Sequence, residues 1–149
     1  MRVSNNIIDF DATPLSIPTG LSIRDEDQIA SRFRGKWDFN YKDLRTYLSE
    51  KQRQGFILGS DLKKDLEGQP VVGAQLLDFY LNKKNRHLIP KKYKWKMLFF
   101  WGTIYCDSNG TLYVPCMNWD GLWVHESFFW LGHRFPQVPS ALSIVHNSR

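Results

Sequence analysis

Between Lys83 and Lys96 the chain reads KKNRHLIPKKYKWK, with seven cations (Lys83, Lys84, Arg86, Lys91, Lys92, Lys94 and Lys96) and no acid. Charge packed this densely attracts phosphate backbones or acidic protein surfaces through Coulomb attraction and counterion release. Tyr93 and Trp95 lie between the lysines, and aromatic rings of that kind stack unpaired bases. The chain as a whole has 20 basic and 15 acidic residues, a net charge of +5 and a pI near 9.3. Taking these seven from the 20 leaves 13 bases against 15 acids, so this one segment makes the protein basic. The same run also reads as a solvated, lysine-rich connector.

Three other constellations could carry chemistry. Ile7-Ile8-Asp9-Phe10-Asp11-Ala12-Thr13 resembles the nucleophile strand of haloacid-dehalogenase-type phosphohydrolases. The resemblance implies attack on phosphorus by Asp9, proton transfer by Asp11, and Mg²⁺ held with the help of a distal acidic motif such as Gly59-Ser60-Asp61-Leu62-Lys63-Lys64-Asp65. About 45 residues separate the two motifs, too few for the alternating strand–helix units that bring such ends together. Asp61 and Asp65 read more simply as one turn of a solvated helix. Next, the Asp120-Gly121 turn sets Cys116 opposite His125 on adjacent strands, a geometry for a thiolate nucleophile and its base. A buried thiol beside a hydrogen-bonded histidine accounts for the same two residues. Last, helices flanking Gly68 suggest a helix-turn-helix, but residues 71–82 have no Lys or Arg to meet a phosphate-lined groove. No Cys-x-x-Cys or His-x-x-x-His occurs, so no metal site is expected and no cofactor is implied.

At 149 residues and 17.5 kDa the chain makes one domain, 1–149. The 42% hydrophobic and 23% charged content excludes disordered, collagen-like and membrane-spanning classes. Aromatics reach 15%, enough to furnish a core and to leave rings for binding, carbohydrate stacking included. Two cysteines are too few for a disulfide framework. The N-terminus lacks signal-peptide features and the apolar run 97–105 is too short to span a bilayer, so the expected setting is cytoplasmic and off the membrane.

The elements that position these residues follow from periodicity. Residues 1–36 read as an irregular wrapping segment with a possible edge strand near Ile7. Residues 38–83 read as helical. A first helix runs from Asp38 or Asn40 through Tyr41, Leu44, Tyr47 and Leu48 to Gly55; a second begins at Ser60, and a third at Pro70. Residues 97–131 read as a β-meander of Leu98–Cys106, Leu112–Trp119 and Leu122–Trp130, turning at Asp107–Gly110 and Asp120-Gly121. Residues 140–146 offer an extra strand. The predicted class is α+β, with N-terminal helices packed on a C-terminal three- to four-stranded antiparallel meander. In that register Cys106 lies opposite Thr111 and Trp101 opposite Cys116, which keeps the sulfurs about 17 Å apart and unbonded.

Taken together, Tyr47–Gln52, Leu76–Leu81, His87-Leu88-Ile89-Pro90, and above all Phe99-Phe100-Trp101-Gly102-Thr103-Ile104-Tyr105 with Asp107-Ser108, resemble a family of short uncharacterised bacterial proteins. The likeness implies one compact unit and attaches no activity or cofactor to it. Two positions depart from that pattern. Lys91-Lys92 stand where the family runs acidic, and Pro115 stands where its strand carries a residue able to donate a ladder hydrogen bond, which implies a bulge or an outward-facing position.

The sequence therefore predicts a non-catalytic interaction module that binds single-stranded nucleic acid or an acidic protein surface. Its expected site is Lys83, Lys84, Arg86, Lys91, Lys92, Tyr93, Lys94, Trp95, Lys96, Trp101 and Trp123. The alternative is a hydrolase using Asp9 and Asp11 with Mg²⁺, or Cys116 with His125.

Overall fold

The first third of the chain forms only very short strands: β1 (Ile7–Asp9), β2 (Ser22–Ile23) and β3 (Lys36–Asp38). The computed structural model describes residues 6–15 and 17–143. After β3 come β4 (Leu44–Tyr47), α1 (Glu50–Gln54), β5 (Ile57–Leu58), α2 (Gly59–Asp65) and α3 (Ala74–Leu81). The C-terminal half holds β6 (Met97–Phe99), β7 (Tyr105–Cys106), β8 (Leu112–Trp119), β9 (Val124–Trp130), β10 (Arg134–Phe135) and β11 (Ser140–Ser143).

This arrangement corrects the predicted fold class. Strands dominate, and the α-helices are only five, seven and eight residues long. A seven-stranded sheet runs β2-β7-β8-β6-β11-β4 with β9 on the other side of β8, and two small sheets pair β1 with β3 and β5 with β10. It is not a block of helices laid on a meander. The error concentrates at residues 40–48. Asn40 caps only a 3-10 turn at Tyr41–Asp43, accepting the Lys42 N–H. Leu44–Tyr47 then extends and pairs antiparallel with β11. The helix starts later, at a capping box: Ser49 Oγ accepts the Gln52 N–H at 3.1 Å, and Gln52 Oε1 accepts the Ser49 N–H at 3.0 Å. A strong cap thus outweighed a three- and four-residue apolar spacing that the β-prone Thr46 and Tyr47 also satisfy.

β8 is the spine of the sheet. Along one side it pairs with β9 without interruption, from Tyr113↔Trp130 to Trp119↔Val124. Along the other side β6 and β7 lie end to end, with Phe99 opposite Cys116 and Tyr105 opposite Tyr113. Five residues, Phe100–Ile104, cross a gap that only Val114 and Pro115 fill on β8. The three extra residues leave the ladder where Pro115 has no N–H to offer. Phe100 N–H donates to Pro115 O at 3.0 Å, and Gly102 N–H donates to Val72 O at 2.9 Å. The loop thereby docks against the start of α3, where Thr103 Oγ1 accepts the Ala74 N–H.

An odd number of inserted residues exchanges faces. Tyr105 therefore joins the face of Tyr113, and the expected opposition of Trp101 with Cys116 becomes Phe99 with Cys116. Cys106 lies opposite Leu112 rather than Thr111. Both cysteines are buried and free.

The chain covers both faces of the sheet. On one, Leu98, Phe100 and Met117 pack with Leu76, Leu77 and Tyr80 of α3 and with Ile8, Phe10, Trp37 and Phe39 around β1 and β3. On the other, Phe99, Trp101, Val114 and Cys116 pack with Ile57, Leu62, Leu66 and Phe135. β11 lies between β6 and β4 in the sheet, and the rest of the predicted 140–146 strand lies outside the described residues. No helix among the described residues is long and apolar enough to cross a membrane.

Gly102 lies directly on the backbone that leads into α3. A Cβ added there would sit 2.4 Å from the Val72 carbonyl carbon and 2.4 Å from the Gly73 nitrogen, both backbone atoms that cannot step aside. Gly102→Ala is expected to destabilise the fold by about 1–3 kcal/mol, the usual cost of overpacking, and a lowered chemical-denaturation midpoint checks it.

Candidate binding surface at the β8–β9 turn

The lysine-rich segment is packed down rather than loose. It folds as two 3-10 turns, Lys83–Leu88 and Lys91–Tyr93, on either side of Pro90. Asn82 Oδ1 caps the first by accepting the Lys84 N–H at 3.1 Å, and Asn85 Nδ2 donates back to Phe79 O. Ile89 and Tyr93 are buried in the core against α3 and pin both turns to the protein. Lys83, Lys84, Lys91, Lys92, Lys94 and Lys96 are left exposed, and Arg86 half-buried. Ion pairs within the described residues (Arg24–Asp27, Arg34–Asp11 and His125–Asp120) draw on none of these seven cations.

Trp95 follows the second turn with φ at +68°, the one positive φ at a non-glycine residue among those described. For a bulky side chain this left-handed conformation costs about 1–2 kcal/mol. It is held by a 2.7 Å hydrogen bond from the Trp95 N–H to Trp119 O. The result is an indole 70% exposed at the end of the basic segment.

The β8–β9 loop presents a second indole. Asp120 Oδ1 accepts N–H groups from Leu122 at 2.8 Å and Trp123 at 2.7 Å, and Gly121 takes φ +97°. This Asx-type turn fixes Leu122 and Trp123, which are 73% and 52% exposed. The Arg86 guanidinium lies 5.2 Å from the Trp123 ring centre and Lys83 Nζ 5.7 Å from it, both within cation–π range. Arg86 Nη1 also donates to Leu122 O at 3.3 Å. Lys94 reaches both rings' surroundings: its Nζ is 5.9 Å from the Trp95 ring, and its Cε occupies space a Cβ on Gly121 would need. Lys94 thus lies beside Trp95 and against the turn that carries Trp123, and the two exposed indoles sit at the same end of the β8–β9 pair. On the connector's other flank, a groove of about 600 Å³ runs between Lys92, Trp95, Lys96 and the apolar Met97, Val138 and Pro139.

Two of the predicted site residues belong elsewhere. Trp101 is wholly buried on the opposite face of the sheet, its ring 5.6 Å from that of Phe135. Tyr93 is a core anchor, although Lys92 Nζ sits 5.3 Å from its ring centre. Leu122 and the groove wall from 137–139 carry no sequence signal, because only tertiary folding brings them to the connector.

Neither catalytic alternative is assembled. The loop Asp120–Trp123 is longer than a two-residue turn, so Cys116 faces Ser127 and His125 faces Asn118. His125 instead contacts Asp120 at 3.2 Å, and burial pushes the Cys116 thiol up to about 12, far from thiolate formation at neutral pH. Asp9 and Asp11 flank Phe10 on the α3 side of the sheet, whereas Asp61 and Asp65 ride on α2 on the other. Asp11 accepts from Arg34 Nε at 2.7 Å and from the Gly35 N–H, which hold its carboxyl below the usual range. Asp65 accepts from the Tyr47 hydroxyl at 2.7 Å. Among the described residues no three of His, Cys, Asp and Glu cluster as a metal shell.

Comparison with family models, with curated proteins and with solved structures finds no match to this chain.

The N–H donors of Trp123 and Leu122, with His125 adding to them, pull the Asp120 carboxyl down to about 2. A lowered carboxyl stabilises the fold above its unfolded value of about 3.9, and that contribution fades as pH falls toward 2. Asp120→Asn should therefore melt below the parent at neutral pH, and the gap should close between about pH 4 and pH 2. Thermal melts of both proteins across that interval check it.

Proposed function

We propose that the protein is a binding module for single-stranded nucleic acid, engaged through Lys83, Lys84, Arg86, Lys91, Lys92, Lys94 and Lys96 together with Trp95 and Trp123. The observation that carries this reading is the pair of exposed indoles beside cations that no acid pairs among the described residues. A lysine patch alone would serve any polyanion. Exposed rings beside it favour unstacked bases, each worth about 1–3 kcal/mol on an aromatic face. An acidic protein surface would neutralise the lysines but would not offer Trp95 and Trp123 the successive flat faces that unstacked bases provide. The reading requires no bond-making step and no cofactor. A cytoplasmic setting accompanies it, supported by the two free cysteines.

The two contributions separate in a titration. With four phosphates neutralised, log affinity should fall with log salt at a slope of about −3. The triple variant Lys91→Glu, Lys92→Glu, Lys94→Glu should bind labelled single-stranded RNA or DNA far more weakly and with a flatter slope. Trp95→Asn, which tolerates the positive φ, should weaken binding about 5- to 100-fold with the slope unchanged. Anisotropy titrations at several salt concentrations measure both. Equal affinities for parent and triple variant, with a flat salt response, would reject the proposal.

A further inference from the structure

We infer that β9 is a self-pairing edge, and that two copies of this chain join through it as an antiparallel, two-fold dimer with Ser127 on the axis. β9 pairs only with β8, and its outer side has no strand among the described residues. Which of its groups face outward follows from β8. Pro115 O takes the Phe100 N–H, so Pro115 faces β6 and β7, while Leu112 O takes the Leu131 N–H, so the even positions of β8 face β9. Their partners His125, Ser127 and Phe129 therefore turn their backbone groups inward. Val124, Glu126 and Phe128 turn theirs outward, where no backbone partner among the described residues meets them; at Trp130 the carbonyl is taken by the His133 N–H.

Natural edges are blunted by short strands, charged side chains (lysine above all), prolines or bulges. Of these β9 carries only the charge of Glu126. It is seven residues long, contains neither Lys nor Pro, and pairs with β8 without a bulge. Phe128 and Trp130 on it are 41% and 50% exposed. Such an edge is a template for another strand.

The occupant that fits is a second copy, and both register and charge select its arrangement. Antiparallel pairing needs opposed residues to face each other or to face away together. A two-fold axis at Ser127 meets this rule and opposes all seven residues: Val124 with Trp130 of the second copy, where the Trp130 carbonyl is shared with His133, Glu126 with its Phe128, and Ser127 with itself. Moving the axis to Glu126 would oppose two carboxylates, which is unfavourable. Antiparallel order also sends the basic connectors to opposite ends. The two Val124 residues are then about 20 Å apart at ~3.4 Å per residue, twice the ~10 Å screening length in 0.1 M salt. A parallel pairing would crowd the two basic patches side by side.

The axis gives a direct test on the full chain without nucleic acid, so its outcome is separate from that of the binding proposal. Ser127 would form a non-hydrogen-bonded pair with its mate, with Cα atoms about 4.5 Å apart, within disulfide range. The native cysteines are buried and stay out of the reaction. Ser127→Cys should cross-link to a reducible dimer under mild oxidation, whereas His125→Cys, about 14 Å from its mate, should not. Glu126→Pro removes an outward N–H and leaves the β8 ladder intact, so it should melt near the parent yet sediment as a monomer. A parent that stays monomeric from micromolar to millimolar concentration overturns the inference. So does a Ser127→Cys protein that cross-links no faster than His125→Cys, or a dimer that survives Glu126→Pro.

Discussion

Pro115 stands near the centre of β8 with its nitrogen turned toward β6 and β7, so that side can give it a donor but receive none. A continuous strand laid there would bury an unmatched carbonyl at the least forgiving point of the sheet. The chain avoids this by leaving the ladder at Phe100 and rejoining at Tyr105, and the departure organises much else. It swings Trp101 into the core beneath α2 and sets Gly102 on the Val72 backbone. It also brings Thr103 to the N-terminus of α3. One missing N–H thus couples the strands to the helix that covers them.

Where the sequence was legible, the signal was local. Asx-Gly turns marked both ends of β8, the aromatic and β-branched runs marked β8 and β9, and α3 followed from its near-continuous apolar set. The misreadings lay where local rules compete or where the outcome depends on distant backbone. Leu44–Tyr47 satisfies a helical spacing, but becomes a strand because β11, almost a hundred residues later, offers an unpaired edge. The departure at Phe100 was signalled by Pro115, yet the bulge fell on the neighbouring strand, and only a count of residues on both strands reveals the exchange of faces. The Cys116–His125 pairing failed for a similar reason. A four-residue loop anchored by Asp120 shifts the register by two, because that carboxylate satisfies two backbone donors which a two-residue turn would leave elsewhere.

The proposed binding surface shows the same division. Its charge was legible because it is contiguous in sequence, and so was Trp95. Which aromatics accompany the lysines is a tertiary matter. Trp101 and Trp123 look alike in composition, but the first lies on the bulge that dives into the core and the second on a loop tip fixed by Asp120 and Arg86. Tyr93 alternates with lysines as a ligand-stacking residue would, yet serves as the anchor that keeps those lysines in place.

That anchoring bears on how the surface can work. Free lysine-rich linkers bind polyanions, but ordering them on binding costs about 1–2 kcal/mol per residue in backbone entropy alone. Here Ile89 and Tyr93 are already buried, each 3-10 turn is already closed, and the cost has been met in folding. What remains to be ordered is the lysine side chains, while Arg86 is largely fixed between Leu81, Leu122 and Trp123. The left-handed backbone at Trp95 belongs to the same logic. Strain at a bulky exposed residue persists only where the surroundings over-determine it, and here the hydrogen bond to Trp119 and the buried Tyr93 two residues before it do so.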